Sequence, residues 1–234
     1  MARVGIEWIN NFPSPCTQNT LSYCDETSVG FLNGMVSRGH TQAFNWGDGN
    51  AWERDFRDPA NGGDDTNWAD DVDFVHFSSH GSTDPSNVFS GWFGTKRDNC
   101  SWTSSRARLG NSNLEYLCID ACNSIDLTLD PISTWHGAFQ GLRMVFGFTD
   151  LVSDSWWTGG RGNDFGRRAG NGDRLTTAWL DAGYSFWLDD NPVAMAAGRN
   201  QTDAENRLAN ERLGGGFTDI PNSQIGWYSW RWRS

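Results

Sequence analysis

The sequence of 234 residues lacks any run of about 18 apolar residues, which is the length that a transmembrane helix requires. Its first residues, MARVGIEWINNF, lack both the cationic start and the long apolar stretch of a secretion signal. We therefore expect no membrane partner and a cytoplasmic location. Repeats of fixed period are also missing, and no linker rich in Pro, Ser or Gly divides the chain. Residues 1–234 are thus predicted to form a single domain.

Positive charge is scarce. The chain has 18 Lys and Arg residues against 29 Asp and Glu residues, which gives a formal net charge of −11. Such a balance repels phosphate backbones and anionic lipid surfaces. The composition therefore excludes nucleic acid as an expected partner.

Cysteines are few and irregularly spaced. Their number, five, is odd, so a complete disulfide framework is impossible and a reducing compartment is predicted. Cys16 and Cys24 could still pair if the protein were exported. The five positions are Cys16, Cys24, Cys100, Cys118 and Cys122.

Metal-binding patterns are absent as well. No C-x2-C pair and no His pair at helical spacing occurs, so we predict no zinc and no cofactor. The acidic stretch DDTNWADDVD (64–73) lacks the Gly and the terminal Glu of an EF-hand loop. It is predicted to form a solvated charged face.

Apolar runs are present, and they indicate the fold. Runs that are apolar on both faces and separated by long connections are typical of a parallel sheet covered by helices. Helices are predicted over 19–37, 174–188 and 192–213, a small hairpin at 87–94, and a last strand at 225–232. The predicted fold is therefore α/β with a mostly parallel central sheet. The four runs read as its strands are 3–9, 72–77, 114–119 and 142–148.

Two of these strands end in residues that can do chemistry. His80 and Gly81 follow the second run, and Asp120, Ala121 and Cys122 follow the third. Ligands of open parallel sheets bind beyond the carboxyl ends of the strands, so both groups are expected at one edge. A cysteine becomes a nucleophile when an imidazole takes its proton, and backbone amides at Gly81 and Cys122 could stabilise an oxyanion.

The motifs HFSSHG and YLCIDACNS resemble those of the caspase, legumain and gingipain superfamily of cysteine peptidases. This resemblance implies a three-layer caspase-like fold, His80 as the catalytic histidine, Cys122 as the nucleophile and a specificity pocket beside it. Members often cleave themselves. The caspase signature Gln-Ala-Cys-x-Gly is absent, so cleavage after Asp is not implied.

Further residues near these strand ends are predicted to bind substrate. An acidic pocket that includes Asp120 would favour a basic side chain in the substrate. The segment 159–166, GGRGNDFG, is interpreted as a mobile loop over the crevice, with Trp156 and Trp157 able to contact a substrate. The predicted substrate-binding set is Asp120, Ser124, Asp150, Asp154 and Trp156.

Other residues of the same types have simpler interpretations. Cys118 lies within an apolar run and is predicted to be inert core, and His76 lies in the middle of a strand and is predicted to be structural. His136 also precedes a glycine and is a rival base, although it comes before a strand instead of after one.

The sequence favours an acyl-transfer enzyme that hydrolyses a peptide bond after a specific residue through Cys122 and His80. Ligation or cyclisation would use the same acyl-enzyme. Two alternatives stay open at this point: a biosynthetic enzyme that transforms a small molecule on this scaffold, and a noncatalytic binding module.

Overall fold

The computed structural model describes all residues, 1–234. The chain forms ten strands: β1 (Arg3–Trp8), β2 (Thr41–Gly47), β3 (Phe74–Ser78), β4 (Gly81–Thr83), β5 (Phe89–Trp92), β6 (Ser101–Thr103), β7 (Tyr116–Asp120), β8 (Met144–Phe148), β9 (Pro192–Gly198) and β10 (Trp227–Trp232). It has five helices: α1 (Cys24–Val36), α2 (Pro131–Trp135), α3 (Arg161–Gly170), α4 (Leu175–Gly183) and α5 (Gln201–Asn210). None of these helices has the length and apolar character needed to cross a bilayer.

Seven strands form the central sheet in the order β10-β9-β8-β7-β3-β1-β2. The five strands from β8 to β2 run parallel, whereas β9 is antiparallel to β8 and β10 is antiparallel to β9. Strands β4, β5 and β6 form a separate antiparallel sheet. The predicted α/β class and the mostly parallel central sheet are confirmed.

Apolar side chains alternate across the central sheet and supply a core on each face. In β7, Leu117 and Ile119 pack on one face, and Tyr116 and Cys118 pack on the other. Both faces of the strand are therefore buried, as the continuous apolar run predicted. Helices α1, α3, α4 and α5 contribute to the core on the Cys118 side. The opposite core is covered by the small sheet, short 3-10 helices and α2.

Helices α1 and α3 pack closely because glycines lie where they meet. A Cβ atom added at Gly34 would lie 2.6 Å from the backbone nitrogen of Arg167 and 2.9 Å from the carbonyl carbon of Gly166. This close approach fixes the start of α3, and with it Arg161, beside the amino-terminal end of α1.

The predicted strand positions are confirmed, and the helices predicted at 19–37 and 174–188 contain α1 and α4. Three other elements need correction. The three-strand sheet β4–β6 replaces the hairpin predicted at 87–94, and β10 occupies the predicted last strand. The predicted helix at 192–213 is wrong, because its first part is β9 and only 201–210 is helical. The segment 159–166 is not a loop, since α3 begins at Arg161.

The acidic stretch 64–73 is not a solvated face. Asp65 and Asp70 are both fully buried. Asp70 accepts hydrogen bonds from the backbone nitrogens of Gly110, Ser112 and Leu114 at 2.7 to 2.9 Å. Burial raises the pKa of Asp65 to about 7. The interpretation failed because charge density alone does not report which carboxylates cap the backbone of a distant loop.

One disulfide joins Cys16 to Cys100, across a sequence separation of 84 residues, with the Cα atoms 5.2 Å apart. The pairing of Cys16 with Cys24 is therefore wrong, because Cys24 is a free, buried thiol. Disulfides persist in oxidising compartments and are rare in the cytosol. The bond does not fit the expected reducing compartment.

Candidate functional site

His80 lies between the end of β3 and the start of β4. Its Nε2 atom is 2.7 Å from the carbonyl oxygen of Asn19. A carbonyl oxygen only accepts, so Nε2 must carry the proton, and a neutral ring then has its lone pair on Nδ1. The ring also packs against Phe12 with the centroids 5.1 Å apart. The imidazole is therefore held in one orientation with Nδ1 available as a base.

Cys122 lies in the turn that follows β7, and its thiol is half-buried. The backbone nitrogen of Val152 donates to Sγ at 3.3 Å, and the carbonyl oxygen of Val152 lies 3.8 Å from the same sulfur. Burial raises the pKa of the Cys122 thiol, although the Val152 amide opposes the rise. The sulfur is thus a thiol at neutral pH, and its reactivity requires a base.

The topology brings His80 and Cys122 to one cavity. Strands β3 and β7 are adjacent and parallel, so both residues emerge at the same edge of the sheet. The cavity has a volume of about 100 Å³, and both side chains line it. Its full lining is Leu21, Tyr23, Cys24, Thr27, Ser78, Ser79, His80, Asp120, Cys122, Val152, Ser153, Asp154, Thr158 and Arg161.

Gly81 lies directly against the turn that contains Cys122. A Cβ atom added at Gly81 would lie 2.8 Å from the Cβ of Ala121 and 2.9 Å from the carbonyl oxygen of Cys122. Only glycine therefore fits here without displacing the turn. The backbone nitrogen of Cys122 donates to no backbone carbonyl. The same N–H makes a hydrogen bond to the Cys122 thiol that lowers the thiol pKa, so it lies next to the sulfur.

An ion pair forms the floor of the cavity. The Nε atom of Arg161 lies 3.2 Å from Asp120 Oδ2, and its Nη1 atom lies 3.3 Å from Asp190 Oδ2. All three side chains are buried. Burial raises the pKa of Asp120 to about 6, and the Arg161 charge opposes the rise. Asp120 is therefore not the free acidic group that the sequence predicted.

Asp154 lines the cavity, but its carboxylate is occupied. It accepts hydrogen bonds from the backbone nitrogens of Ser22 and Tyr23 at 2.5 and 2.8 Å. Asp154 thus fastens the loop after β8 to the segment before α1. Cys24, the first residue of α1, also lines the cavity, and burial raises the pKa of its thiol well above the ordinary value.

Three predicted substrate-binding residues lie outside the cavity lining. Ser124 is fully buried, with its Oγ donating to the Ile119 carbonyl and accepting from the Phe148 nitrogen. It braces β7 against β8, which corrects the predicted role. Asp150 is exposed and its Oδ1 accepts from the nitrogen of Leu151. Trp156 is also exposed.

The histidines and cysteine with simpler interpretations lie away from the cavity. Cys118 is fully buried in the core. His76 is fully buried with its Nδ1 atom 2.9 Å from the hydroxyl of Ser28, and burial lowers its pKa to about 3. The Nδ1 atom of His136 is 2.9 Å from the hydroxyl of Tyr228, and His136 is not part of the lining.

Sequence reasoning missed Asn19, Cys24 and Arg161. Asn19 acts through its carbonyl oxygen, which every residue type has, so no side-chain pattern could indicate it. Cys24 had no motif around it. Arg161 is the one cation in the glycine-rich segment 159–166, which was predicted to be a loop, so no local pattern placed it beside Asp120.

A family model described as a domain of unknown function, DUF6345, matches residues 6–234. No curated protein matches the chain. Among solved structures, the chain is similar to the Arg specific cysteine proteinase gingipain R, with a TM-score of 0.46 and 14% identity. That match covers 72% of this chain and 36% of gingipain R, so the chain spans about a third of its length.

The chain is also similar to the Drosophila initiator caspase Dronc, with a TM-score of 0.48 and 11% identity, covering 82% of this chain and 78% of Dronc.

Proposed function

This chain belongs to the DUF6345 family, and we propose that it is a cysteine-nucleophile acyl-transfer enzyme that hydrolyses a peptide bond. The observation that supports the proposal is the shared cavity. A thiol and an imidazole whose tautomer is set by Asn19 line the same small opening at the carboxyl edge of the sheet.

The proposed reaction uses His80 as base and then as acid. Nδ1 takes the thiol proton as Sγ forms a bond to the scissile carbonyl carbon. The carbonyl oxygen gains the negative charge, and the amides of Gly81 and Cys122 are the proposed donors to it. The carbon–nitrogen bond then breaks as Nδ1 returns the proton to the leaving amine. Nδ1 then takes a proton from a water molecule as its oxygen attacks the thioester carbon; the carbon–sulfur bond breaks, the proton passes to Sγ, and the carboxylic acid is released.

The charge of the cavity floor determines which substrate side chain can bind next to the scissile bond. An acidic pocket would select a cation, but Arg161 compensates Asp120 in this site. Asp120 Oδ2 and Arg161 Nε are paired with each other at 3.2 Å, so no uncompensated carboxylate is left to select a cation. We therefore propose a neutral side chain in preference to Lys or Arg at this position.

Labelling by peptide acyloxymethyl ketones, with adducts mapped by mass spectrometry, tests the proposal. We expect the adduct on Cys122 and a labelling rate lower by about 10²-fold or more in His80→Ala, the usual contribution of a general base. His136→Ala is the matched control and should keep the wild-type rate. Adducts confined to Cys24, or equal rates in His80→Ala and wild type, would contradict the proposal.

The size of the cavity and the products of the reaction distinguish the remaining alternatives for the substrate and for the acyl-enzyme. A cavity of about 100 Å³ is smaller than the roughly 300 to 1,000 Å³ of typical small-molecule sites. The size supports a peptide side chain over an enclosed metabolite. Ligation and cyclisation use the same thioester, and adding an amine nucleophile to the reaction distinguishes them from hydrolysis by the mass of the product.

The cytoplasmic location predicted from the sequence is opposed by one observation. The Cys16–Cys100 disulfide is typical of an oxidising compartment. Fractionation of the native host cells, followed by thiol labelling of these two cysteines, tests the location. Reduced Cys16 and Cys100 in a cytoplasmic fraction would support it.

A further inference from the structure

The most exposed aromatic side chains of the protein are concentrated in two loops. Trp156, Trp157, Phe186 and Trp187 are 62, 71, 72 and 90% exposed. We call these four residues the aromatic rim. Within the rim, Trp156 stacks on Trp157 with the centroids 3.7 Å apart, and Phe186 packs edge-on to Trp187 at 5.5 Å. Each pair is thus ordered by its own contact and still leaves most of its surface to water.

The two loops are fastened together although about 30 residues separate them in sequence. The backbone nitrogen of Ser153 donates to Asp190 Oδ1 at 2.7 Å. The hydroxyl of the same serine lies 3.4 Å from the carbonyl oxygen of Leu188. The loop after β8 and the loop before β9 therefore form one surface.

This surface continues into the catalytic cavity. Trp157 lines a second depression of about 240 Å³ together with Tyr184 and Ser185. Thr158 and Arg161 line both this depression and the cavity that contains Cys122. The second depression therefore adjoins the cavity, and Trp157 belongs to both this depression and the rim.

Such a surface binds apolar groups. Exposed apolar patches of this kind mark interaction sites, and tryptophan is among the residues that contribute most at such sites. A lipid surface is the other apolar partner, but the net charge of −11 opposes approach to anionic bilayers. The shared walls with the catalytic cavity favour the substrate of the enzyme itself.

We propose that the aromatic rim is a second specificity site, which binds an apolar, preferably aromatic, side chain of an extended polypeptide close to the residue held in the cavity. The inference rests on the proposed function of Cys122. It adds to that function a substrate class: polypeptides in which a large apolar side chain stands within one or two residues of the scissile bond.

Paired peptide ketones test the inference. One member of each pair has Trp or Phe at the neighbouring position and the other has Ala, with the same residue at the scissile position. We expect the aromatic probe to label Cys122 about tenfold faster or more, since truncating an aromatic anchor at an interface typically costs at least that factor. The ratio should fall to about one in the Trp157→Ala, Trp187→Ala double variant.

Trp232→Ala is the matched control, because Trp232 is 54% exposed at the end of β10 and lines neither depression. It should keep the wild-type ratio, and labelling by iodoacetamide should be equal in all three proteins. Equal rates for aromatic and Ala probes in the wild type would overturn the rim proposal alone. No labelling of Cys122 by any peptide probe would overturn the proposed function and this inference with it.

Lipid binding is read in a parallel assay with phosphatidylcholine vesicles. Co-sedimentation of the wild type that is lost in the double variant, together with unchanged peptide ratios, would assign the rim to a membrane and overturn the proposal.

Discussion

A buried pair of carboxyl groups predicts that the protein loses stability as the pH rises. Glu7, in β1, is fully buried, and its carboxyl group lies against that of Asp55. Asp55 is 2% exposed, and its nearby carboxyl group raises the pKa of Glu7 further. Burial raises the pKa of Glu7 well above its ordinary value, and burial raises the pKa of Asp55 from 3.8 to about 7.

The sign follows from which state binds the proton. Between about pH 4 and pH 7 the folded protein holds a proton on Asp55 that the unfolded chain has released. The stabilisation is therefore complete below about pH 4 and is lost as the pH rises through 7. The difference between 3.8 and about 7 corresponds to about 4 kcal/mol, since one pKa unit is equivalent to about 1.4 kcal/mol.

Asp55→Asn removes this titration while keeping the shape of the side chain. The free energy of unfolding of the variant relative to wild type should rise by about 4 kcal/mol between pH 4 and pH 8. Urea unfolding followed by tryptophan fluorescence at each pH measures this difference. Glu205→Gln, which replaces an exposed carboxylate on α5, is the control and should show no such rise. A difference between Asp55→Asn and wild type that is constant with pH would refute the reasoning.

Four further outcomes are expected. Arg161→Met leaves two buried carboxylates without their cation and should lower the free energy of unfolding by about 3 to 5 kcal/mol in urea; a loss below about 1 kcal/mol would contradict the assigned ion pairs. Gly81→Ala should slow ketone labelling by tenfold or more, because the added Cβ collides with the turn that contains Cys122, whereas the Cβ added in Gly216→Ala meets no atom within 4 Å and should have no such effect. Iodoacetamide labelling of Cys122 should increase with pH up to at least 9, because burial raises the thiol pKa, and a plateau below pH 8 would contradict this. Cys100→Ser opens a disulfide of 84-residue separation and should cost about 4 to 5 kcal/mol by loop entropy, visible as a lower melting temperature that dithiothreitol no longer changes.

The central strands could be predicted because their sequences leave no alternative. VDFVHF and LEYLCI are rich in β-branched and aromatic residues, and both faces of β3 and β7 are buried. The same runs predicted that His80 and Cys122 lie at one edge of the sheet, because neighbouring parallel strands end on the same side. His80 and Cys122 could thus be placed on one cavity without any knowledge of the loops.

Strand β9 could not be predicted, because its composition favours the wrong structure. PVAMAAG contains three alanines, the best helix-forming residue, yet all seven residues are buried in the sheet. Small side chains are needed here, since a Cβ atom on Gly198 would collide with Ala204 of α5. The prediction of 159–166 as a loop was wrong for the opposite reason. Its glycines lower helix propensity but permit the close contact with α1.

The cavity floor was predicted only in part. Asp120 was identified from its place before the cysteine, but its partner Arg161 lies 41 residues away on an unpredicted helix. The side chain of Asp154 was expected to face substrate and instead caps backbone nitrogens of residues 22 and 23. Such contacts depend on how distant loops fold back, which local sequence patterns do not report.

The order of strands also bears on how the site responds to partial unfolding. The strands that precede His80 and Cys122 are β3 and β7, which lie inside the sheet with a hydrogen-bonded neighbour on each side. Fraying of the outer strands β2 and β10 leaves both of these ladders closed. The amides of β3 and β7 should therefore exchange with deuterium only on global unfolding, so the strands that hold His80 and Cys122 stay in place until the fold itself is lost.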